Sequence, residues 1–291
     1  MNRQWAGYTY GSEWLHNRLV ASLRVIDVRI LYIFSYLFIV PVFLLVNPSR
    51  KSAYGYFRER LSFGPLKAAW YTYWNHCRFA ETVIDKFAMY AGRKFRTQVP
   101  EMGLFNALAA KPDGFVMMSS HIGNYEIAGY SFVSESKSIN AVVYEAEKAS
   151  VMRNRNNMFG RTNVSMIAIR QDMGHLFEIN KALGDGNIVS FPTDRNMGGK
   201  LILQDFLGAP AEFPMGPFNV AAMRGLDVLT VNVMKTGWTS YTTYVTPLAY
   251  DKTAGRKAQI DQISKAYVAE LEKQVGKYPE QWYNFSDFWK Q

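Results

Sequence analysis

From residue 114 onward, short apolar runs alternate with stretches of helical period, and this alternation constrains the fold more than any other feature of the chain. Helices that connect successive strands of one sheet make those strands parallel. The pattern therefore predicts an α/β fold, with a mainly parallel or mixed central sheet flanked by helices. The predicted strands are 115–118, 140–144, 164–169, 188–191 and 228–234. The predicted helices are 66–92, 124–134, 151–159, 173–183, 217–224 and 257–277.

An uncharged segment, ILYIFSYLFIVPVFLLV at 30–46, precedes this region. Its 17 residues are at the short limit for a bilayer span, and Pro41 lies inside it. Basic residues flank both ends, so the positive-inside rule assigns no orientation. The segment is either a single span, a monotopic helix in one leaflet or a buried core helix, and we expect membrane contact.

The basic charge of the chain is confined to its first third. Residues 1–96 contain 14 Lys and Arg but five Asp and Glu, which accounts for the whole net charge of +9. Basic residues around an apolar segment favour lipid headgroups or an acidic carrier protein over nucleic acid as the partner. We predict a basic, helical membrane-associating region at 1–96 and an α/β catalytic core at 97–291.

Polar side chains follow two of the predicted strands. The run GFVMMSSH ends at His121, and GNIVSFPTDR ends at Asp194 and Arg195. In open parallel sheets, ligands bind beyond the carboxyl ends of the strands, so these side chains are expected to line one crevice.

His121 is the candidate general base, because the pKa of an unperturbed imidazole lies near neutrality. We expect Glu126, five residues later, to hold the second imidazole nitrogen. That pairing requires His121 to precede the following helix. Gly123 allows a substrate or the backbone to approach closely. For Arg195 two roles stay open, since it can bind a phosphate or carboxylate or pair structurally with Asp194.

Other chemistries lack their motifs. The chain has no G-x-S-x-G elbow, Walker A loop, H-E-x-x-H pair or dinucleotide-binding G-x-G-x-x-G. The single cysteine, Cys77, excludes an intramolecular disulfide and is expected to be a buried, inert thiol. His16, His76 and His175 follow no strand end that presents them to a crevice.

SSHIGNYE resembles the H-x-x-x-x-D/E motif of the lysophospholipid acyltransferase superfamily. The resemblance is greater to the bacterial branch that includes the late lipid A acyltransferases, where H-x-G-N-x-E is typical. Two further blocks agree in order: VSFPTDRNMGGKLILQDFLGAPAEFPMGPFNVAAMRGLDVL, and the closing YPEQWYNFSDFW with its P-x-Q-W element. An apolar, basic N-terminus is also usual there.

The resemblance implies transfer of an acyl group from a thioester of acyl carrier protein or coenzyme A to a hydroxyl or amine of a lipid-type acceptor. It also implies a location at the cytoplasmic face of the bacterial inner membrane, and a reaction that needs no metal and no bound cofactor. His121 would deprotonate the acceptor and Glu126 would orient His121. Asp194 and Arg195 would contact the polar head of the acceptor, and donors near Ser120, Gly123 or Asn124 would stabilise the oxyanion.

The chain departs from the glycerolipid enzymes at one block, since FPTDRN stands where they have Phe-Pro followed by Glu-Gly-Thr-Arg. A saccharolipid, aminolipid or aryl-polyene-type acceptor is therefore as plausible as a phosphoglycerol. Two other functions remain open on the same scaffold: a non-catalytic lipid- or carrier-binding protein, and a thioesterase-like hydrolase.

Overall fold

The computed structural model describes residues 13–128, 136–144, 163–170, 172–195, 199–286 and 288–289. The predicted helix 151–159 lies outside these residues, as does the second half of the predicted helix 124–134.

A sheet of seven strands forms the centre of the described part, with the order β1-β9-β8-β2-β5-β3-β4. All neighbouring strands are parallel except β8 and β9, which are antiparallel. The strands are β1 (Arg96–Gln98), β2 (Phe115–Ser119), β3 (Ile139–Tyr144), β4 (Val164–Ile169), β5 (Ile188–Pro192), β8 (Val228–Lys235) and β9 (Ser240–Pro247). The predicted α/β fold with a mainly parallel sheet is therefore confirmed, and the predicted strands lie within one residue of the observed ones at each end.

Helices cover both faces of the sheet. They are α6 (Met102–Ala109), α7 (Gly174–Gly184), α8 (Met215–Arg224) and α9 (Arg256–Lys277). Alternate residues of β2 point to opposite faces: Val116 and Met118 pack with residues of α7, α8 and α9, whereas Phe115 and Met117 pack with Phe105 of α6. Because both faces are covered, all of β8 and all of β2 except Ser119 are buried, and both strands read as short, mostly apolar runs.

A two-stranded antiparallel hairpin, β6 (Leu201–Phe206) and β7 (Ala209–Pro214), lies outside the main sheet. Its turn uses Leu207 and Gly208, both with positive φ. The sequence analysis placed no strand here, nor at β1 or β9, and no helix at α6. β6 and β7 alternate between buried and exposed side chains, which is a weaker signal than the buried runs of the central strands.

The N-terminal region is helical, with α1 (Glu13–Leu23), α2 (Val28–Phe34), α3 (Val40–Val46), α4 (Ser49–Gly55) and α5 (Pro65–Tyr90). A π-helical turn, Ser35–Ile39, joins α2 to α3, and a second one, Tyr56–Arg60, follows α4. In the first turn Val40 N–H donates to the Ser35 carbonyl, five residues back. Pro41 has no N–H for the next bond, and the Tyr36 carbonyl accepts instead from the Tyr73 hydroxyl at 3.1 Å.

The continuous helical stretch Val28–Val46 is, among the described residues, the one helix long and apolar enough to cross a membrane. One side of it packs on α5, where Tyr32 and Phe87 share a buried cluster. The other side is exposed and apolar: Ile30, Ile33, Phe34, Leu37, Phe38, Val42 and Leu45 are all more than one-third accessible.

A buried charged network connects this stretch to the sheet. Lys235, the last residue of β8, bonds through Nζ to the carboxylate of Asp85 on α5 and to the hydroxyl of Tyr32 at 3.0 Å. Its Nζ also lies 3.4 Å from the carboxylate of Glu81, which accepts from the Tyr36 hydroxyl. The ions compensate one another in a site from which water is excluded.

Candidate active site

The loops that follow β2 and β5 leave the sheet side by side. Ser119 is paired with Pro192, and Thr193 N–H donates to the Ser119 carbonyl at 2.8 Å. This register places His121 next to Asp194. The imidazole Nδ1 lies 2.7 Å from Asp194 Oδ1, and the His121 backbone N–H donates to Asp194 Oδ2 at 2.7 Å. One carboxylate therefore holds both the ring and the main chain of the histidine.

This contact assigns the two imidazole nitrogens. Nδ1 carries the hydrogen that is donated to Asp194, so Nε2 is the nitrogen that can accept a proton from a substrate. Burial and the charge of Arg195 lower the pKa of His121 below its ordinary value of 6.5, although Asp194 acts in the opposite direction. His121 is therefore neutral at pH 7, and its side chain keeps 16% of its surface exposed.

Asp194 is almost completely buried. Burial alone would raise its pKa, but His121, through its charge and its hydrogen bonds, and Arg195, through its charge, lower it below the usual range. An ionised Asp194 can orient the neutral imidazole and stabilise the imidazolium that forms when His121 takes a proton. Arg195 is itself held by the Tyr283 carbonyl, to which its Nη2 donates at 2.9 Å.

Glu126 does not occupy the position that the sequence analysis gave it. Its Oε1 lies 2.8 Å from Lys86 Nζ, and its Oε2 accepts from the Tyr90 hydroxyl at 3.2 Å. Glu126 lies in a short 3₁₀ turn, Tyr125–Ile127, and His121 precedes that turn as expected. The turn directs the Glu126 carboxylate towards α5. The partner of His121 Nδ1 is instead Asp194, which follows the neighbouring strand β5.

The residues expected to bind substrate around His121 are buried and make contacts within the protein. Ser120 Oγ donates to Asn232 Oδ1 at 2.8 Å. Gly123 N–H donates to the Gln281 carbonyl, and Asn124 N–H to the Val233 carbonyl, each at 2.8 Å. These backbone donors are engaged in holding the loop. In Asn124, the buried amide nitrogen Nδ2 has no hydrogen-bond partner among the described residues.

Gly123 is required by the backbone of this loop. Its φ is +64°, and a Cβ at this position would lie 1.9 Å from the Val233 carbonyl oxygen. A side chain would therefore both strain the residue and push the loop away from β8. This is the close backbone approach that the sequence analysis considered for Gly123.

The C-terminal segment Gln281–Tyr283 packs directly against the loop His121–Gly123, and the sequence analysis assigned it no role. Ile122 pairs with Trp282 in an antiparallel bridge, and Tyr283 N–H donates to the His121 carbonyl at 3.2 Å. The P-x-Q-W block was the signal for this segment. Its partner in space is 160 residues away in sequence, and periodicity does not reveal such a pairing.

Cys77 is buried, and burial raises the pKa of its thiol to about 12, which agrees with an inert thiol. His76 is buried in α5, and His175 lies near the start of α7, where its Nδ1 accepts from Arg170 N–H. Neither histidine lies beside His121. Within the described ranges, no three His, Cys, Asp or Glu side chains stand close enough to hold a metal ion.

Comparison with known proteins places this site in a family. The family of bacterial lipid A biosynthesis acyltransferases matches residues 83–291. No curated protein matches the chain. Among solved structures, the chain is similar to the 1-acyl-sn-glycerophosphate (LPA) acyltransferase PlsC from Thermotoga maritima, at 16% identity over 94% of this chain and 100% of that one. The TM-score is 0.38, and a structural similarity at that value supports no conclusion about function. The family match spans more than half of the chain and includes every residue of the site, so the chain belongs to the bacterial lipid A biosynthesis acyltransferase family and is an acyltransferase acting on lipid-type substrates.

Proposed function

We propose that the protein transfers a fatty acyl group from an acyl thioester to a hydroxyl or amine of a membrane lipid, with His121 as the general base. The observation that carries the proposal is the contact of His121 Nδ1 with Asp194, because it leaves a neutral imidazole whose Nε2 can take a proton. The family model supports the reaction class.

In the proposed mechanism, Nε2 of His121 removes the proton as the acceptor oxygen or nitrogen attacks the thioester carbonyl. The buried carboxylate of Asp194 stabilises the imidazolium. When the tetrahedral intermediate collapses, the carbon–sulfur bond breaks and the imidazolium returns the proton to the departing thiolate. The enzyme then holds an acylated lipid and a free carrier thiol. These reaction steps require neither a metal nor a bound cofactor.

The second carboxylate of the H-x-x-x-x-E motif needs a separate assignment. The resemblance to the wider superfamily gives Glu126 the role of partner to His121. The geometry instead supports Asp194 in that role. We propose that Glu126 fixes the 3₁₀ turn on α5 through Lys86 and Tyr90. Arg195 keeps two proposed contributions: its charge at the site, and contact with an anionic group of the acceptor.

The family and the charge of the chain support a proposal for the donor and the acceptor. We propose acyl carrier protein or coenzyme A as the donor's carrier, and an acidic carrier protein would be attracted by the basic first third of the chain. The acceptor is proposed to be a lipid with a sugar or amine head. The FPTDRN block, which differs from its glycerolipid counterpart, argues against a phosphoglycerol head.

Membrane attachment is proposed for residues 1–96, with residues 97–291 carrying the catalytic core. The support is the exposed apolar side of Val28–Val46 together with the basic charge around it. A cytoplasmic face of the bacterial inner membrane would give access to both carrier thioesters and newly made lipid.

The test compares lipid extracts, by mass spectrometry, from one bacterial host that expresses wild type, His121→Ala or His175→Ala. His175 is a matched control, because it also follows a strand end, that of β4, and lies outside the site. We expect a lipid heavier by one acyl group with wild type and His175→Ala. His121→Ala should reduce it at least about a thousandfold with the fold intact.

The same comparison is repeated with purified protein and acyl carrier protein thioester added to extracted lipid. Free fatty acid as the only product would support a thioesterase-like hydrolase. Bound thioester without turnover would support a non-catalytic carrier-binding protein. Substantial transfer by folded His121→Ala would overturn the assignment of the general base.

A further inference from the structure

The C-terminal segment Glu280–Tyr283, called the strap below, is attached to the catalytic loop His121–Gly123 by main-chain hydrogen bonds. Gly123 N–H donates to the Gln281 carbonyl at 2.8 Å, and Tyr283 N–H donates to the His121 carbonyl at 3.2 Å. The two segments form a short antiparallel pair around the bridge between Ile122 and Trp282. Movement of the strap would therefore move the backbone of His121.

The strap is fixed to the sheet by one side chain. Gln281 Oε1 accepts from the Lys235 backbone N–H, and Gln281 Nε2 donates to the Lys235 carbonyl, both at 2.9 Å. The amide thus makes the two bonds that a neighbouring strand would make with β8 at this residue. Gln281 is 1% exposed, so no water replaces these bonds at low cost.

A second side chain fixes the strap to α5. Asn75 Nδ2 donates to the carbonyls of Glu280 at 3.0 Å and Trp282 at 2.9 Å. Asn75 is 1% exposed. Two buried amides therefore hold the strap, one on the sheet and one on the long helix, in addition to the buried ring of Trp282 and the hydrogen bond between Thr82 and the Tyr283 hydroxyl.

The same strap also reaches the other half of the site. Arg195 donates to the Tyr283 carbonyl, and Arg195 follows Asp194 directly in the chain. Both halves of the His121–Asp194 pair are thus tied to one segment. None of the strap contacts involves the reacting atoms, so a strap residue can act on catalysis only through position.

We propose that Gln281 is a positioning residue, which holds the strap on β8 so that His121 keeps its contact with Asp194. The proposal rests on the function proposed above, which makes His121 the general base. A one-ångström displacement of a base is enough to lower turnover about a hundredfold, because proton transfer depends steeply on geometry.

The test uses Gln281→Met, which keeps the volume of the side chain and removes both hydrogen bonds. Asn75→Leu is the second variant and removes both amide bonds between α5 and the strap, while the bond between Thr82 and Tyr283 stays. Gln259→Met is the matched control: Gln259 is a buried glutamine whose amide also donates to two main-chain carbonyls, those of Lys252 and Ala254, at the other end of α9. Thermal unfolding first establishes that each variant is folded.

The first readout needs no substrate. Diethyl pyrocarbonate modifies neutral imidazoles, and peptide mass spectrometry reports its rate at His121 as a function of pH. We expect the rate at neutral pH to rise about three- to tenfold in Gln281→Met and Asn75→Leu, since a loosened loop exposes the ring. The midpoint of the pH dependence should move up towards the ordinary value of histidine, while Gln259→Met matches wild type.

The charged and titratable groups that face His121 in this measurement are Asp194 and Arg195 from the loop after β5, and Tyr125 from the 3₁₀ turn. Tyr267 from α9 faces Asp194. None of them is altered in the variants, so a change in midpoint reports the position of the ring relative to them.

The second readout is acyl transfer, where we expect kcat to fall about ten- to hundredfold with KM within about threefold. A folded Gln281→Met variant with the modification profile and kcat of wild type overturns the proposal. An equal change in Gln259→Met overturns it as well, since the effect would then be a general loosening. Because the modification profile is independent of substrate, a failure of the acyl-transfer hypothesis leaves the positioning test intact.

Discussion

At the scale of single residues, the site depends on which carboxylate holds His121. Asp194 accepts two hydrogen bonds from His121, one from the ring and one from the backbone. In Asp194→Asn one of the two oxygens becomes an NH₂ group, so the variant must either lose a bond or force the other imidazole tautomer. We expect kcat to fall by about 10³ to 10⁴ with little change in unfolding temperature.

Glu126→Gln provides the comparison for that variant. The glutamine oxygen can still accept from Tyr90, while the ion pair with Lys86 is lost. We expect a decrease in kcat of less than about tenfold. If Glu126→Gln is the more damaged of the two enzymes, then Glu126 is the orienting carboxylate, as the motif alone suggested, and Asp194 is not.

The pH dependence of turnover is a second prediction at this scale. The base must be neutral to accept a proton, and burial and Arg195 lower the pKa of His121 below 6.5. Activity should therefore be constant above neutrality and fall only as the pH drops through a midpoint below 6.5. Arg195→Met removes a charge that disfavours the imidazolium, so its midpoint should lie higher than that of wild type.

Measurement of kcat from about pH 5 to about pH 8 checks both expectations. A wild-type midpoint above 6.5 would contradict the environment described for the imidazole. A midpoint that is unchanged in Arg195→Met would show that its charge does not act on His121.

The sequence predicted that His121, Asp194 and Arg195 lie together, because each follows a buried apolar run and parallel strands bring such positions to one edge, and the structure places them there. It assigned the wrong neighbour to Nδ1, because H-x-x-x-x-E describes spacing along the chain. The register between β2 and β5, which brings Asp194 to 2.7 Å from the ring, is a property of two segments 73 residues apart.

At the scale of elements, periodicity predicted the buried strands and the long helices. It missed β9 and the hairpin β6–β7, whose side chains alternate between buried and exposed. It also could not show how α2 and α5 attach to the sheet. That attachment is the charged network of Lys235 with Asp85, Glu81 and Tyr32, in which every contact joins distant segments.

Removal of one ion from that network tests its contribution. In Lys235→Met the carboxylate of Asp85 stays buried and loses its cation, whereas Glu81 keeps its ion pair with Arg78. We expect the free energy of unfolding to fall by about 3 to 5 kcal/mol, because an uncompensated charge remains in a dry site. Urea denaturation measures the change.

The double variant Asp85→Leu, Lys235→Met is the control, because it removes a charge of each sign. We expect it to recover a large part of the lost stability. A single variant within about 1 kcal/mol of wild type would show that the network does not join α2 to the sheet energetically.

At the scale of the whole molecule, the question is whether Val28–Val46 spans the membrane or lies on it. A helix of 19 residues extends about 28 Å, slightly less than the hydrocarbon thickness of about 30 Å. One side of this helix is bound to α5 and, through Tyr32, to a network of buried ions. A spanning orientation would carry these ions to membrane depth, where they are costly, so we expect a monotopic helix in one leaflet.

Vesicle flotation tests this orientation. Phe34, Leu37 and Phe38 are each at least half exposed on the free side, and their replacement by serine should weaken binding to anionic vesicles at least about a hundredfold. Leu203→Ser with Met223→Ser, two exposed apolar residues of β6 and α8, should bind like wild type. High salt should weaken but not abolish binding, since basic residues and apolar contacts both contribute.

Labelling of the two flanks separates a monotopic helix from a span. Arg24 and Lys51 are exposed residues on either side of Val28–Val46, and the native Cys77 is buried. In Arg24→Cys and Lys51→Cys, made as separate variants, we expect both cysteines to react with a membrane-impermeant maleimide from the same side of sealed membrane vesicles. Reaction of the two positions from opposite sides would instead establish a span, and Tyr32 and Asp85 would then have to separate when the protein inserts.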